Sequence, residues 1–207
     1  MLNKSLSGVS AGVLISLGGS VFLACGANQS YDKYVGAVMF SVALLCICYR
    51  GYYLFTGKVG YLPESCKKND VLALCVGLVG NLVTTFLLGM LIRAAMPALG
   101  ETAAALCAKK LDQAFWQTLV RGIFCGFLMY LAVSIFRDKK TPIGILFAIP
   151  VFILSGFEHS IADMFYFGAS GLFDAKIILF MLAVVLGNSI GGVALPLIQK
   201  AGGAYEL

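Results

Sequence analysis

The stretch "SGFEHSIADMF", Ser155 to Phe165, lies between two apolar runs in the last third of the chain. It contains the only histidine of the sequence, His159, with Glu158 directly before it and Asp163 further on. Ionisable side chains are costly inside a bilayer, and they usually mark a functional site there. The stretch therefore predicts a membrane span that is broken around a polar site.

The composition predicts that lipid is the solvent for much of the surface. The 207 residues are 60% hydrophobic and 12% charged, with a mean hydropathy of +0.92. A soluble domain usually has about 25% charged residues, and a core of this size cannot bury so many apolar side chains. The first apolar run has no obvious small-residue cleavage site followed by a soluble domain, which favours a retained span over a signal peptide.

Charge and cysteine usage exclude several classes of protein. The net charge of +5 is spread over short connections, without the basic stripe and interleaved aromatic residues of a nucleic-acid-binding protein. The seven cysteines are scattered, so neither a zinc site nor a disulfide framework is expected. No nucleophile–base pair or cofactor motif indicates an enzyme. We therefore expect a membrane protein without a metal, a cofactor or a nucleic-acid partner.

Six apolar runs are long enough to cross about 30 Å of hydrocarbon as helices. They are Leu6–Cys25, Tyr34–Cys48, Val71–Ile92, Ala114–Phe136, Pro142–Phe157 and Lys176–Ile198. The second and fifth runs are short, and the glycine-bearing polar segments "YRGYYLFTGKVG" and "SGFEHSIADMFYFG" follow them. The third and sixth runs carry Gly80-Asn81 and Gly187-Asn188 in mid-span. Such features predict helices that are interrupted inside the membrane.

These features recur at one offset, because Thr56 and Asp163 are 107 positions apart and so are Asn81 and Asn188. We interpret residues 1–207 as one transmembrane domain, with a first repeat of roughly residues 5–92 and a second of roughly residues 114–198. Each repeat has an odd number of spans, so the second is inverted relative to the first. Inverted repeats with interrupted helices place a substrate path near the bilayer midplane.

The lysines and arginines of the connections predict the orientation, because cytoplasmic loops are enriched in both residues. With the N-terminus inside, the outer side holds Lys33, Arg93, Lys109, Lys110 and Lys176. The cytoplasmic side then holds the larger set, which is Lys4, Arg50, Lys58, Lys67, Lys68, Arg137, Lys139, Lys140 and Lys200. Both termini are therefore expected to be cytoplasmic.

Four segments, "GFEHSIADMF", "GYYLFTG", "GLVGNL" and "VLGNSIGG", resemble the formate/nitrite transporter family in their order and spacing. The resemblance extends over all six spans. It implies an all-α membrane protein with six transmembrane helices in two inverted three-helix repeats, aquaporin-like, with broken helices. It also implies a homopentamer with one pore per protomer, multi-pass in the bacterial inner (plasma) membrane. The implied substrates are small monovalent weak-acid anions, with formate first and nitrite or hydrosulfide next.

The resemblance also assigns roles to individual positions. His159 and Thr56 match the histidine and the threonine of the substrate pore. The residues that form the family's apolar constrictions correspond to Leu44, Leu54 and Phe55 on the cytoplasmic side. On the outer side they correspond to Phe40 and Phe152. Supporting positions match Glu158, Asn81, Asn188, Asp163 and Lys110, with Lys109 adjacent to the last.

Two positions depart from the family pattern. Asp163 stands where the family often has asparagine, and so does Gly126, which follows Cys125. We expect the missing amide at Gly126 either to widen the pore or to remove a hydrogen bond to His159. Both departures bear on the choice of substrate.

The working hypothesis is that His159 gives a proton or a hydrogen bond to an anion between two apolar rings, assisted by Thr56. A bare charge in such a constriction is penalised by several kcal/mol or more, and imidazole changes charge near neutral pH. Lys110 is expected to draw anions into the outer vestibule. Glu158 is expected to pair with Lys110 or to cap loop amides, and Asp163 to cap the helix that follows.

Purely structural roles for the same residues also remain open. His159 is then a histidine that holds two loops together, and the apolar residues are packing. Asn81 and Asn188 are expected to satisfy one another's loops or the broken backbone rather than to contact substrate. Two other functions also remain, an aquaporin-like neutral solute pore and a degenerate scaffold without flux. The first lacks the paired Asn-Pro-Ala loops that it needs, and the second is suggested by Gly126 and Asp163.

Overall fold

A computed structural model describes residues 2–28 and 32–203. In these ranges the chain forms helices and connecting segments. The helices are α1 (Leu2–Ala27), α2 (Lys33–Arg50), α3 (Phe55–Lys58), α4 (Lys68–Ala95), α5 (Pro97–Leu111), α6 (Phe115–Lys139), α7 (Ile143–Leu154), α8 (Ser160–Ser170) and α9 (Lys176–Ala201). A 3-10 turn, Val59–Tyr61, follows α3. Among the described helices, α1, α2, α4, α6 and α9 are long and apolar enough to cross a membrane.

The remaining crossing, the fifth in chain order, is made of two pieces. Helix α7 has 12 residues and α8 has 11, so neither alone spans about 30 Å of hydrocarbon at 1.5 Å per residue. They are joined by residues 155–159 and together complete the crossing. The predicted span Pro142–Phe157 therefore ends too early, because it contains α7 and stops inside the connection.

The second crossing is broken in the corresponding place. Helix α2 ends at Arg50, and Gly51 follows with a φ of 67°, a left-handed conformation that glycine adopts without strain. The chain then runs extended through Leu54 into α3. By contrast, α4 and α9 continue as unbroken helices through Gly80-Asn81 and Gly187-Asn188. In the described part of the chain, the interruptions therefore lie in the second and fifth crossings and not in the third and sixth.

Helix α5 is not foreseen by the sequence pattern. Its segment carries Glu101, Lys109 and Lys110, which lower the hydropathy. Its alanines favour helix formation, and Pro97 occupies the first helical position, where proline is well tolerated. We call the side of the bundle that α5 covers the α5 side. The opposite side, where the described chain begins and ends, is the terminal side.

The two halves of the bundle have the same internal arrangement. Helix α1 packs against α2 and α4, and α6 packs against α7 and α9. The short pieces cross between the halves, since α8 packs against α4 and the Val59–Tyr61 turn packs against α9. The chain breaks of the two halves therefore meet in the centre of the bundle.

Candidate functional site

Asn81 holds the first chain break. Its side-chain Oδ1 accepts a hydrogen bond from the Phe55 amide at 2.9 Å. Its Nδ2 donates to the Gly8 carbonyl at 2.8 Å and to the Tyr53 carbonyl at 3.0 Å. One buried side chain thereby satisfies two main-chain groups of the break, which have no water to bind in a membrane, and ties them to the Gly8 carbonyl of α1.

Asn188 makes the same three kinds of bond at the second break. Its Oδ1 accepts from the Ser160 amide at 2.9 Å, and its Nδ2 donates to the carbonyls of Gly122 at 2.9 Å and Glu158 at 2.8 Å. These bonds confirm the interpretation that the asparagines satisfy broken backbone. The alternative that they satisfy one another's loops is wrong, because each binds the break of its own half.

The predicted offset of 107 positions between the two repeats does not hold for the two loops. The equivalent amides belong to Phe55 and Ser160, which are 105 positions apart. Thr56 is therefore not the counterpart of Asp163, and the offset of 107 positions holds for the asparagines but not for the loops. The second half places two more residues between its break and its asparagine than a strict repeat would.

Thr56 and His159 join the two loops. Thr56 Oγ1 and His159 Nε2 are 2.8 Å apart, and both residues are buried. His159 Nδ1 accepts a hydrogen bond from the Ala162 amide at 3.2 Å. Because Nδ1 acts as an acceptor, the proton of the neutral imidazole is assigned to Nε2, which donates to Thr56 Oγ1. The Thr56 hydroxyl hydrogen is then left for another acceptor.

His159, not Asp163, caps helix α8. His159 is the residue before the first turn, and its side chain accepts the Ala162 amide. Asp163 lies one turn further, where its own amide donates to the His159 carbonyl at 2.9 Å. The predicted capping role of Asp163 is wrong, because the imidazole already occupies that position and the Asp163 carboxylate faces Lys110.

Apolar residues lie on both sides of the Thr56–His159 pair. Towards the α5 side, the rings of Phe40 and Phe152 meet edge to face at 6.2 Å, and Phe152 stacks on His159 at 5.6 Å. Towards the terminal side, Leu44 and Leu54 line a cavity of about 210 Å³ together with Tyr52, Lys58, Arg137 and other residues. Phe55 is buried beside them. All five residues predicted as constrictions are buried, and Phe152 is the one whose ring stacks on His159.

Lys110 lies between two carboxylates. It bonds Glu158 Oε2, and its Nζ is 3.0 Å from Asp163 Oδ1. Gln113 Nε2 donates to Glu158 Oε1 at 2.8 Å. The predicted pairing of Glu158 with Lys110 is confirmed, whereas Lys109 is exposed. Because two carboxylates surround Lys110, it is not the free positive charge that the sequence suggests as an attractor of anions.

Gln113 is a member of this cluster that sequence reasoning missed. It lies in the connection between α5 and α6, a region without a counterpart in the first repeat. The repeat pattern therefore contains no signal that would single out Gln113.

Gly126 does not widen the path. A Cβ atom at this position would lie 2.6 Å from the Asn188 carbonyl oxygen and 2.8 Å from the Gly192 nitrogen. Position 126 therefore faces the backbone of α9, and glycine allows α6 and α9 to approach closely. The expectation of a wider pore is wrong, because no space opens where the side chain is missing.

Gly126→Ala is expected to lower the free energy of unfolding by about 3 kcal/mol, the upper part of the usual cost of overpacking. The obstructing atoms belong to the backbone of α9 and cannot rotate away. Thermal unfolding in detergent measures the effect. Gly202→Ala is the control, since its added Cβ would meet nothing nearer than 3.4 Å. Equal melting temperatures for the two variants would show that α6 and α9 separate easily.

Comparison with known proteins gives a family and several relatives. The sequence model of a family described as "Formate/nitrite transporter" matches residues 1–200. The uncharacterized transporter YwcJ of Bacillus subtilis is 30% identical over 190 residues, which is 82% of this chain and 74% of that one. A probable formate transporter of Methanothermobacter thermautotrophicus is 31% identical over 201 residues, covering 77% of this chain and 71% of that one.

Solved structures share the fold. A "pentameric formate channel with formate bound" superposes with a TM-score of 0.83 at 24% identity, over 98% of this chain and 96% of that one. An "FNT family ion channel" gives a TM-score of 0.84, also at 24% identity, over 100% of this chain and 90% of that one. The predicted fold class, an all-α bundle of two inverted repeats with broken helices, is confirmed.

Proposed function

The chain belongs to the formate/nitrite transporter family, and from that premise we propose that it carries a small monovalent weak-acid anion, formate first, across a membrane. Nitrite and hydrosulfide are the other candidates. The observation that carries the proposal is the buried hydrogen bond between Thr56 and His159. The two apolar layers beside it are part of the proposal, and they are Phe40 with Phe152, and Leu44 with Leu54 and Phe55. The relatives of the chain named above are transporters and channels, in agreement with the prediction that the chain is not an enzyme.

In this proposal the apolar layers make the passage of an anion costly, and the Thr56–His159 pair lowers that cost. An anion that leaves water for the space between Phe40, Phe152 and the leucines loses its hydration, at a cost of several kcal/mol or more. The corresponding neutral acid avoids most of that cost. Between the layers, His159 Nε2 donates its hydrogen to Thr56 Oγ1, so the Thr56 hydroxyl hydrogen is the free donor, and the imidazole donor becomes available when a substrate oxygen displaces that bond. In this proposal the two donors bind the oxygens of the permeating species at the point where water is excluded.

The surroundings of His159 favour hydrogen bonding over the transfer of its own proton. An imidazolium would carry a proton on Nδ1, which would then point at the Ala162 amide hydrogen from 3.2 Å. Two donors facing each other is unfavourable, and α8 would lose its cap. A proton that accompanies the anion is therefore proposed to come from water in the vestibule.

The remaining assignments are proposed from the family. The protein is proposed to be a homopentamer with one pore per protomer, because one structural relative is a pentameric formate channel. The chain is proposed to form one transmembrane domain in the bacterial inner membrane, with the terminal side in the cytoplasm. Lys58, Arg137 and Lys140 on the terminal side support that orientation, because basic residues favour the cytoplasmic face.

A flux panel on the purified protein in liposomes tests the function. Formate, nitrite, hydrosulfide, acetate and lactate are compared at several values between about pH 5 and about pH 8, with protein-free liposomes as the control. We expect formate flux well above the control and smaller rates for the larger acids. Passage of glycerol without any anion would support the aquaporin-like alternative, and no flux of any solute would support a scaffold.

A further inference from the structure

The cluster around Lys110 has an excess of negative groups. One ammonium lies against two carboxylates, those of Glu158 and Asp163. The side chains of Lys110, Glu158 and Asp163 are 12%, 2% and 3% exposed. With all three groups ionised, the cluster would carry a net charge of −1 in a place from which water is nearly excluded. Buried charge without compensation is strongly unfavourable, and a carboxylate in that position tends to take up a proton.

The hydrogen bonds indicate which carboxylate takes it. Both oxygens of Glu158 accept hydrogen bonds, one from Lys110 and one from Gln113. Asp163 Oδ1 faces Lys110, whereas Oδ2 is buried and has no partner among the described residues. Hydrogen bonds to a carboxylate stabilise its charged form. Glu158 is thus the better stabilised anion, and the bare Oδ2 of Asp163 is the place for a proton.

No second cation faces Asp163 from the described helices around it. The charged groups that act on it are Lys110 and Glu158. The other titratable neighbours are two thiols and a phenol, groups that are ordinarily neutral at pH 7; they belong to Cys107 on α5, Cys125 on α6 and Tyr166 on α8. On α4, Arg93 binds the Ser170 carbonyl at the far end of α8. The charge of the cluster is therefore decided by its two carboxylates and one lysine.

We propose, resting on the function proposed above, that Asp163 holds one exchangeable proton and thereby determines whether an anion from the α5 side reaches His159. With the proton on Oδ2, the cluster is neutral. Without it, the cluster is negative one helical turn from His159 and repels the permeating anion. The proton passes between Asp163 and water on the α5 side, with Lys110 as the least buried member of the cluster, and no bond forms between Asp163 and the anion.

This assignment makes Asp163 a positioning residue that acts through charge. Flux through the wild-type protein falls as the pH on the α5 side rises, beyond the fall that the substrate's own ionisation causes. A unit charge one helical turn from His159, in a partly polar surrounding, changes the occupancy of an anion beside His159 by about threefold to tenfold. The effect belongs to one side of the membrane, because the terminal side has no part in the cluster.

The experiment compares wild type with Asp163→Asn, Glu158→Gln and Asp112→Asn in liposomes. Asp112 is an exposed carboxylate close to Lys110 in sequence and on the same side, so Asp112→Asn removes an equal charge outside the cluster. Formate flux is measured while the α5-side pH is raised from about 6 to about 9. We expect Asp163→Asn and Glu158→Gln to lose the extra threefold to tenfold decrease, and Asp112→Asn to keep it.

Infrared spectroscopy of the same preparations observes the proton directly. A protonated carboxylic acid has a carbonyl stretching band that a carboxylate lacks. We expect this band in wild type and in Asp112→Asn at neutral pH, and its loss in Asp163→Asn. Glu158→Gln is also expected to lose the band. In this variant the charges of Lys110 and Asp163 cancel, so Asp163 remains a carboxylate.

The outcomes separate this inference from the proposed function. Formate flux with the same pH profile in wild type and Asp163→Asn overturns the role of Asp163 and leaves the proposed function intact. A wild type that conducts no anion at any pH overturns both. A carboxylic-acid band that survives in Asp163→Asn shows that the proton is elsewhere, and the inference is then wrong whatever the flux.

Discussion

His159→Phe is expected to reduce formate flux in liposomes by about a hundredfold. The substitution keeps an aromatic ring beside Phe152 and removes the Nε2 donor that faces Thr56. A hydrogen bond to a charged group contributes about 1.5–3 kcal/mol, and about 2.7 kcal/mol corresponds to a hundredfold change. The rate of formate-dependent change in internal pH, measured by stopped flow, gives the ratio directly.

A second substitution separates conduction from folding. In His159→Asn the shorter side chain still offers an oxygen to the Ala162 amide, and asparagine is among the best residues at the start of a helix. We therefore expect a melting temperature near that of wild type together with the same loss of flux. Wild-type flux in His159→Asn would mean that the imidazole serves α8 alone and that another group conducts the anion.

Asn188→Leu is expected to have the largest effect on stability. The leucine fills a similar volume but leaves the Ser160 amide and the Glu158 carbonyl without their partner. It also removes a second bond to the Gly122 carbonyl, which keeps its bond within α6. Each unsatisfied buried group costs about 1–3 kcal/mol, so the loss of two partners should lower the free energy of unfolding by about 2–6 kcal/mol. That loss is comparable to the whole stability of many proteins.

Equilibrium unfolding in mixed micelles measures this effect, and Ser189→Ala provides the neighbouring control. The Ser189 hydroxyl bonds the Val185 carbonyl inside its own helix at 2.7 Å, so its removal leaves the chain break untouched. Asn81→Leu should behave like Asn188→Leu, because Asn81 makes the equivalent three bonds. If Asn188→Leu is as stable as Ser189→Ala, water or lipid head groups must satisfy the broken backbone instead.

The sequence pattern predicted the features that repeat along the chain. The two short spans correctly indicated the interrupted second and fifth crossings. The two Gly-Asn pairs were wrong as signs of interruption in their own helices, which are continuous, because their amides satisfy the breaks of the neighbouring crossings. The lone histidine was singled out because an ionisable group inside an apolar region is costly. The pairing of Glu158 with Lys110 was predicted only with the help of the family resemblance, since the two residues lie in different segments of the chain.

What the pattern could not predict depends on contacts between distant parts of the chain. The role of His159 as a helix cap follows from the direction of its ring, which no spacing encodes. The place of Gly126 against α9 depends on how two helices meet, so its missing side chain was mistaken for open space. Helix α5 and Gln113 were missed because they lie in a polar connection that is present once and not twice.

The two asparagines have a consequence for how such a protein can change over generations. Their bonds tie both interruptions to the neighbouring long helices, so the main chain around the path has little freedom to shift. New substrate preferences must then arise by exchange of side chains on a fixed frame, and positions such as Asp163 are free to vary while Asn81 and Asn188 are not. Relatives with different permeants are expected to differ at the first kind of position and to agree at the second.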